Sequence, residues 1–326
     1  MHAYILKRCG QLIIVLIAAS IFIFSMIHLA PGDPIVVLLG ERATAEQMQR
    51  MRQAFGLDQP LHVQYLKFLG NCLQGNFGIS IRHGVPSGRL VLERLPITLE
   101  LVFASMLIAI PFAIFTGVIA SIRQNSWWDF SASFFSLFGV SMPSFWIGIV
   151  LIIVFGVVLE WLPVMGRPEW SLWSAAGIAL TGNWQPLGTF LRHLFLPALT
   201  NSLWMMGMVT RLTRTSMLDV LKEEYVRTAR GKGLREQWVI TKHALRNALI
   251  PVLTVVAIQF GSVLGGAVIT ETVFAWPGMG RLLVDSVYNR DYPVVQAAVI
   301  ICAFLFAVVN LIVDFLYTLL DPRIKY

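Results

Sequence analysis

Charge is scarce in this sequence. Its 326 residues include 25 Lys and Arg and 18 Asp and Glu, 13% in all, against roughly 25% in an ordinary soluble domain. A soluble globule of this size keeps itself dispersed with surface charge, and this chain has too little. Cysteine is scarcer still. Cys9, Cys72 and Cys302 stand far apart, fit no metal-ligand spacing and cannot build a disulfide framework, so they read as small apolar filler. Catalytic signatures are missing as well: no G-x-x-x-x-G-K-[ST] phosphate loop, H-E-x-x-H zinc helix or G-x-S-x-G nucleophile turn occurs. No catalytic residue, bound cofactor or metal is therefore expected in this chain, and it is not expected to be an enzyme. What is abundant excludes disorder. The chain is 56% apolar with 21 Phe and 10 Trp, whereas disordered chains are poor in such residues. Composition thus places it in a lipid bilayer. The net charge of +7 fits cytoplasmic loops of a membrane protein, and no nucleic-acid partner is expected.

A bilayer-crossing helix needs roughly 20 mostly apolar residues. The first candidate runs from Gln11 to Leu29, after Lys7 and Arg8. It is longer than a signal peptide's apolar core and ends without a small-residue cleavage site, so it reads as a retained anchor. Residues 30–97 are polar, carry some helical periodicity at Met48, Met51 and Phe55, and are too long for a plain loop. Five more spans follow, at about Thr98–Ile122, Phe130–Val158, Leu194–Leu212, Leu249–Ile269 and Val294–Tyr317. The third holds Ser141-Met142-Pro143-Ser144, which predicts a kink. With the N-terminus inside, the cytoplasmic segments hold fourteen Lys/Arg and the short outer loops four. That bias predicts both termini in the cytoplasm.

Nine of the 25 basic residues fall within 211–247. Met217, Leu218, Leu221 and Tyr225 recur there at helical spacing, and Glu223 with Arg227 makes an i,i+4 pair. Gly231 and Gly233 are expected to end that helix, and a second helix from Arg235 to Leu245 leads back to the membrane. A protruding helix with an apolar stripe suits a groove on a partner protein.

The stretch from Glu224 through Tyr225, Arg227, Thr228, Ala229, Arg230, Gly231 and Gly233 to Leu234 resembles the coupling loop of ABC-importer permeases. More narrowly, it is similar to the first-permease type of the dipeptide/oligopeptide/nickel branch. Other matching pieces span nearly the whole chain: 28–34, 56–60, 64–66, 75–80, 141–146, 243–251, 271–281, 289–296 and 321–326. The broad permease pattern has Glu-Ala-Ala and later Leu-Pro. Here Arg227-Thr228-Ala229 and Leu245-Arg246 stand in those places, as in the peptide/nickel branch, while Asn76 stands where that branch often has Asp. The resemblance implies an all-α polytopic protein of the bacterial cytoplasmic (inner) membrane. The fold it implies is the type I importer permease fold, with six transmembrane helices and a cytoplasmic coupling helix. Three parts are expected: 1–29, the extracytoplasmic 30–97, and a five-helix core at 98–326 with its coupling loop at 211–247. It further implies a second homologous permease, two cytoplasmic ATPase subunits that bind ATP and Mg, and an external substrate-binding protein. Residues 224–234 are expected to dock on an ATPase. Di- or oligopeptides are the leading substrate; nickel chelates, glutathione or another small solute are the alternatives.

An ion-coupled secondary transporter is the reading from another class. Such proteins place ionisable groups at mid-membrane, yet these spans are nearly free of acids. Asp314 lies near the cytoplasmic end of the sixth span, and His28, at the outer end of the first, is expected to pack at the interface. Gly261 and Gly265 form a small-xxx-small face, for packing against the partner permease or within this chain. Trp276, Pro277, Gly278, Gly280 and Arg281 are irregular backbone outside the fifth span. Such backbone is tolerated only when buried or lining a watery path, and here it is expected to serve an external gate. Trp127, Trp128, Trp161, Trp170, Trp173 and Trp184 mostly flank spans and read as interface anchors.

Overall fold

The computed structural model describes residues 2–29, 44, 46–49 and 58–320. Among them every regular element is helical, apart from an isolated bridge between Ile79 and Pro86. The elements are α1 (His2–Leu29), α2 (Leu61–Leu73), α3 (Ser87–Ile122), α4 (Trp127–Ser141) and α5 (Ser144–Leu151), which continues as a π-helical stretch, Ile152–Val158. Then come α6 (Leu172–Leu180), α7 (Gln185–Val220), α8 (Glu224–Gly231) and α9 (Glu236–Trp238), which runs into a second π-helical stretch, Val239–Leu245. Last are α10 (Arg246–Val273), α11 (Met279–Tyr288) and α12 (Tyr292–Leu320). The pieces at 28–34 and 321–326, and the periodic positions Met51 and Phe55, lie wholly or partly outside the described residues, as does the side chain of Asp314.

Among the described residues, three helices are long and apolar enough to cross a membrane: Ser87–Ile122, Glu236–Val273 and Tyr292–Ile312. Helix α4 with α5 and its extension passes as a fourth, bent by 109° at the break. The kink expected at Ser141–Ser144 is thus a full break: Met142 and Pro143 are extended, with ψ of 135° at both. Helix α1 contributes the shorter apolar stretch Gly10–Met26. The second expected span starts earlier than its apolar run, because α3 begins at Ser87 and carries Pro111 without interruption.

The chain divides into two compact units. In the unit of Met1–Pro96 and Arg281–Phe315, α1 and α2 meet through Ser20 Oγ and Tyr65 OH, 2.9 Å apart. Phe24 stacks near His28, with centroids 4.2 Å apart, and His28 Nε2 lies 3.1 Å from Gln64 Oε1, in keeping with a packing role for that histidine. The buried Asp291 carboxylate accepts from Ser80 Oγ (2.5 Å) and from the backbone N–H groups of Ile81 and Arg82. Burial pushes the Cys72 thiol up to about 11, which keeps it a neutral, apolar filler.

The unit of Ile97–Gly280 is built around α7, which packs against α4, α5, α6 and α10. Pro186 sits in its first turn, where a missing N–H costs nothing. Thr200, Asn201, Ser202, Thr210 and Thr213 are buried along it. Thr200 and Ser202 return their hydroxyl protons to the Leu196 and Leu199 carbonyls. Helices α4 and α7 approach almost backbone to backbone: a Cβ on Gly207 would lie 2.5 Å from the Ser136 carbonyl oxygen, and one on Gly139 would lie 2.7 Å from that of Leu203. Two ion pairs pin the unit. Arg167 pairs with Glu100 at 2.8 Å, both side chains nearly buried, and Arg214 grips Asp129 through two bonds of 2.5 and 2.8 Å.

The α4–α7 contact predicts that Gly207→Val is severely destabilising, because overpacking costs about 1–3 kcal/mol or more where backbone cannot yield. Thermal unfolding in detergent should fall by several degrees for Gly207→Val and stay unchanged for Gly177→Ala, where an added methyl meets nothing within 4 Å.

Candidate functional site

Helix α7 has 36 residues, about 54 Å at 1.5 Å per residue, well beyond the roughly 30 Å hydrocarbon layer. Its end therefore carries the charged segment out of the apolar zone. The helix expected to run from Met217 past Tyr225 is in fact two. Helix α7 stops at Val220, Leu221 caps it, and α8 starts after Glu223, whose ψ of 145° turns the chain. The cause is burial. Met217 faces inward with Ala244 and Ala248, while Val226 and Ala229 of α8 pack on Val239 in a separate cluster. One straight helix cannot present residues to both.

The helix does end at Gly231, its last residue, as expected, but Gly231 keeps a helical backbone and the left-handed reversal belongs to Gly233, at φ +78°. The Gly233 N–H donates to the Arg230 carbonyl (2.9 Å) and the Leu234 N–H to that of Ala229 (3.4 Å). This is a Schellman cap with glycine at the left-handed position. Instead of the Glu223–Arg227 pair, the ion pair found here joins Arg230 to Glu236 across the turn at 2.7 Å, in a forked arrangement. Its hydrogen bond holds the Arg230 guanidinium above its ordinary pKa. The pair is exposed and contributes little stability, so its role is to fix the loop's shape. Asn247 Nδ2 donates to Tyr225 OH at 2.7 Å and ties α8 to the start of α10.

The outcome is a short, braced helix. Val226 and Ala229 are its inner face, and Glu224, Tyr225, Arg227, Thr228, Arg230, Gly231, Gly233 and Leu234 are exposed. Acid stands in its first turn and Arg230 in its last, matching the helix dipole. Most of the sequence-derived positions therefore come together on one open surface. Ala229 is the exception, a packing residue. Asn247, Glu236 and Val239 were missed by sequence reading, since their partners lie 6 to 22 positions away with no spacing signal.

The residues expected at the external gate form a buried knot. Trp276 is fully buried, its Nε1 donates to the Ile97 carbonyl (3.2 Å), and the Arg167 guanidinium lies over both its ring and that of Phe190. Thr98 relays two bonds: its Oγ1 accepts from the Met279 N–H (2.8 Å) and donates to the buried Glu271 carboxylate (2.5 Å). Gly278 leaves room for that carboxylate, because a Cβ there would overlap Glu271 Oε1. Gly280 makes room in the same way against Val268. Arg281 falls in the other unit, with Asp285 3.9 Å away. Of the small-residue face on α10, Gly265 is exposed with nothing within 4 Å of an added methyl, and Gly266 is the residue that meets this chain, at Asn201 Oδ1. All six tryptophans named as anchors are exposed or nearly so.

Residues 109–326 match the family described as binding-protein-dependent transport system inner membrane component, and residues 1–102 match the N-terminal part of such components. The di/tripeptide transport system permease protein of Pseudomonas aeruginosa is 45% identical, over 100% of this chain and 99% of its own length. The dipeptide transport system permease protein of Alkalihalophilus pseudofirmus is 40% identical over the full length of both. The glutathione transport system permease protein of Escherichia coli is 41% identical over 99% of each.

The cap geometry separates the two glycines of the loop. Gly233→Ala forces a left-handed conformation worth roughly 1–2 kcal/mol of strain, whereas Gly231→Ala meets open space at a helical position. Hydrogen exchange across residues 224–236 should accelerate about tenfold in Gly233→Ala and hold steady or slow in Gly231→Ala.

Proposed function

Because the chain belongs to the inner-membrane components of binding-protein-dependent transport systems, we propose that it is the permease subunit of an ATP-driven peptide importer, forming half of the translocation path. It is a multi-pass protein of the inner membrane. Membership supports separate ATPase and substrate-binding partners, and the absence of a phosphate loop from the sequence supports ATP and Mg on those partners. Three relatives at 40–45% identity carry peptide or glutathione names; glutathione is itself a tripeptide, so a short peptide is the common cargo class. Glutathione remains the specific alternative within it.

Six spans with both termini cytoplasmic are part of this reading. In this reading the six are α1, α3, the broken α4–α5 pair, α7, α10 and α12, and the fourteen-to-four Lys/Arg bias supports the orientation. Helix α7 falls short on hydropathy because much of its surface faces protein, where Thr, Ser and Asn are acceptable. The exposed Gly265 of the small-residue face, with the half-buried Gly261 one turn before it, supports close packing on a second, homologous permease. The buried knot at Trp276–Gly280 supports a rigid element of the external gate, and residues 30–97 are read as the surface for the binding protein.

The observation that carries the proposal is the braced helix α8: an exposed, charged surface with a buried Val226–Ala229 face, set at the end of the helix that runs through the core. A rigid helix on a rigid rod transmits movement, so closure of an ATPase cleft around residues 224–234 moves α7 and the path it lines. In reconstituted complexes, Glu224→Lys should lower binding-protein-stimulated ATP hydrolysis about tenfold through weakened docking, with membrane insertion and yield unchanged. Normal peptide uptake by both Glu224→Lys and Gly233→Ala complexes would show the docking assignment to be wrong. The cargo is tested by measuring the ligand affinities of the binding protein that co-purifies with the complex.

A further inference from the structure

The break between α4 and α5 opens a cavity of about 610 Å³ in this chain, within the roughly 300–1,000 Å³ of small-ligand sites. Its wall includes Ser141, Ser144, Asn201, Trp204, Ser262 and Gly266, and none of the residues lining it is charged. Irregular backbone inside an apolar span is tolerated where it lines such a space. Pro143, as N-cap, gives the first turn of α5 no side-chain cap, so N–H groups at that end are left for another acceptor.

Asn201 is the second, independent observation. It is 7% exposed, and its Nδ2 donates to the Val263 carbonyl at 3.3 Å. Among the described residues no donor is paired with its Oδ1, which lies beside Gly266 on the cavity wall. The residue is buried, yet its oxygen is not among the fully enclosed polar atoms, so it is open to the cavity and available to a ligand donor.

We propose that this cavity is a subsite for the backbone of a passing peptide. Asn201 Oδ1 accepts a peptide N–H, and the amino end of α5 takes a carbonyl or carboxylate oxygen. The inference rests on the peptide-import reading above. It specifies how cargo is recognised: uncharged polar groups read the peptide unit, which every peptide has, and no charged group selects among side chains. Gly266 is required because a methyl there would lie 3.0 Å from Asn201 Oδ1 and crowd the acceptor.

The test is a comparison of two cargoes in vesicles holding the whole complex and its binding protein. Alanyl-alanine has a peptide N–H; alanyl-sarcosine carries a methyl in its place. The ratio of their uptake rates is measured for wild type, Asn201→Leu and Gly266→Ala. The binding protein is the same throughout, so its own preference cancels between proteins. The ratio should shrink about fivefold in both variants, the size of one net hydrogen bond. Gly266→Ala keeps Asn201 and its bond to Val263, so it decides the matter if Asn201→Leu fails to fold. A ratio unchanged in the variants, including equal loss of both cargoes, overturns the subsite and leaves peptide import standing. Wild-type vesicles that take up neither peptide, yet hydrolyse ATP in response to a loaded binding protein, overturn the peptide reading and the subsite with it.

Discussion

A backbone in hydrocarbon has to satisfy its own hydrogen bonds, and that constraint orders most of this structure. It explains why the described residues form helices and why two irregular stretches next to apolar helices are protected. The break at Met142–Pro143 lines a cavity. The turn at Phe274–Met279 is largely buried, with the Trp276 indole bonded to Ile97, the Trp276 N–H to Glu271 and the Met279 N–H to Thr98. The two π-helical stretches keep their bonds within the chain segment while changing its pitch.

The same constraint shapes α7. A helix wrapped by α4, α5, α6 and α10 does not need an apolar surface all round. It can hold Asn201 and a series of hydroxyls, several of which return their protons to carbonyls of the same helix. Glycines at the α4 crossing then bring backbones close enough for dispersion forces to act over the whole contact. The ion pairs Glu100–Arg167 and Asp129–Arg214 fix the unit at two further points. A rod held in this way can pass a displacement along its length, as the proposed coupling at α8 requires.

Much of the candidate site was legible in the sequence. The concentration of charge at 211–247, the glycine turn and the position of an exposed helix all follow from composition and spacing. The break between α7 and α8 was not, because Leu218, Leu221 and Tyr225 keep helical spacing across it. The periodicity of a sequence records which residues are apolar and leaves open which neighbour each one meets. Gly231 and Gly233 look alike in the sequence, and only the backbone angles distinguish the helical residue from the left-handed one. Glu100 with Arg167 and Asp129 with Arg214 are 67 and 85 positions apart, so no local pattern could pair them. Helix α7 was legible as the expected span at Leu194–Leu212 although its polar residues lower its hydropathy, because the helices packed around it remove the need for an apolar surface all round.

Sequence alone determined the solvent and the expectation about the energy source. With 13% charged residues and long apolar runs, the chain belongs in lipid, and the lack of a phosphate loop set the expectation that ATP is bound by partner subunits. These are properties of composition and motif, which exist before folding. Tertiary structure decided where α7 ends and which glycine turns the loop. It also decided which carboxylates are paired and where a broken helix leaves a cavity beside Asn201. Each of these depends on residues distant in the chain meeting at one place, and that meeting is set by packing.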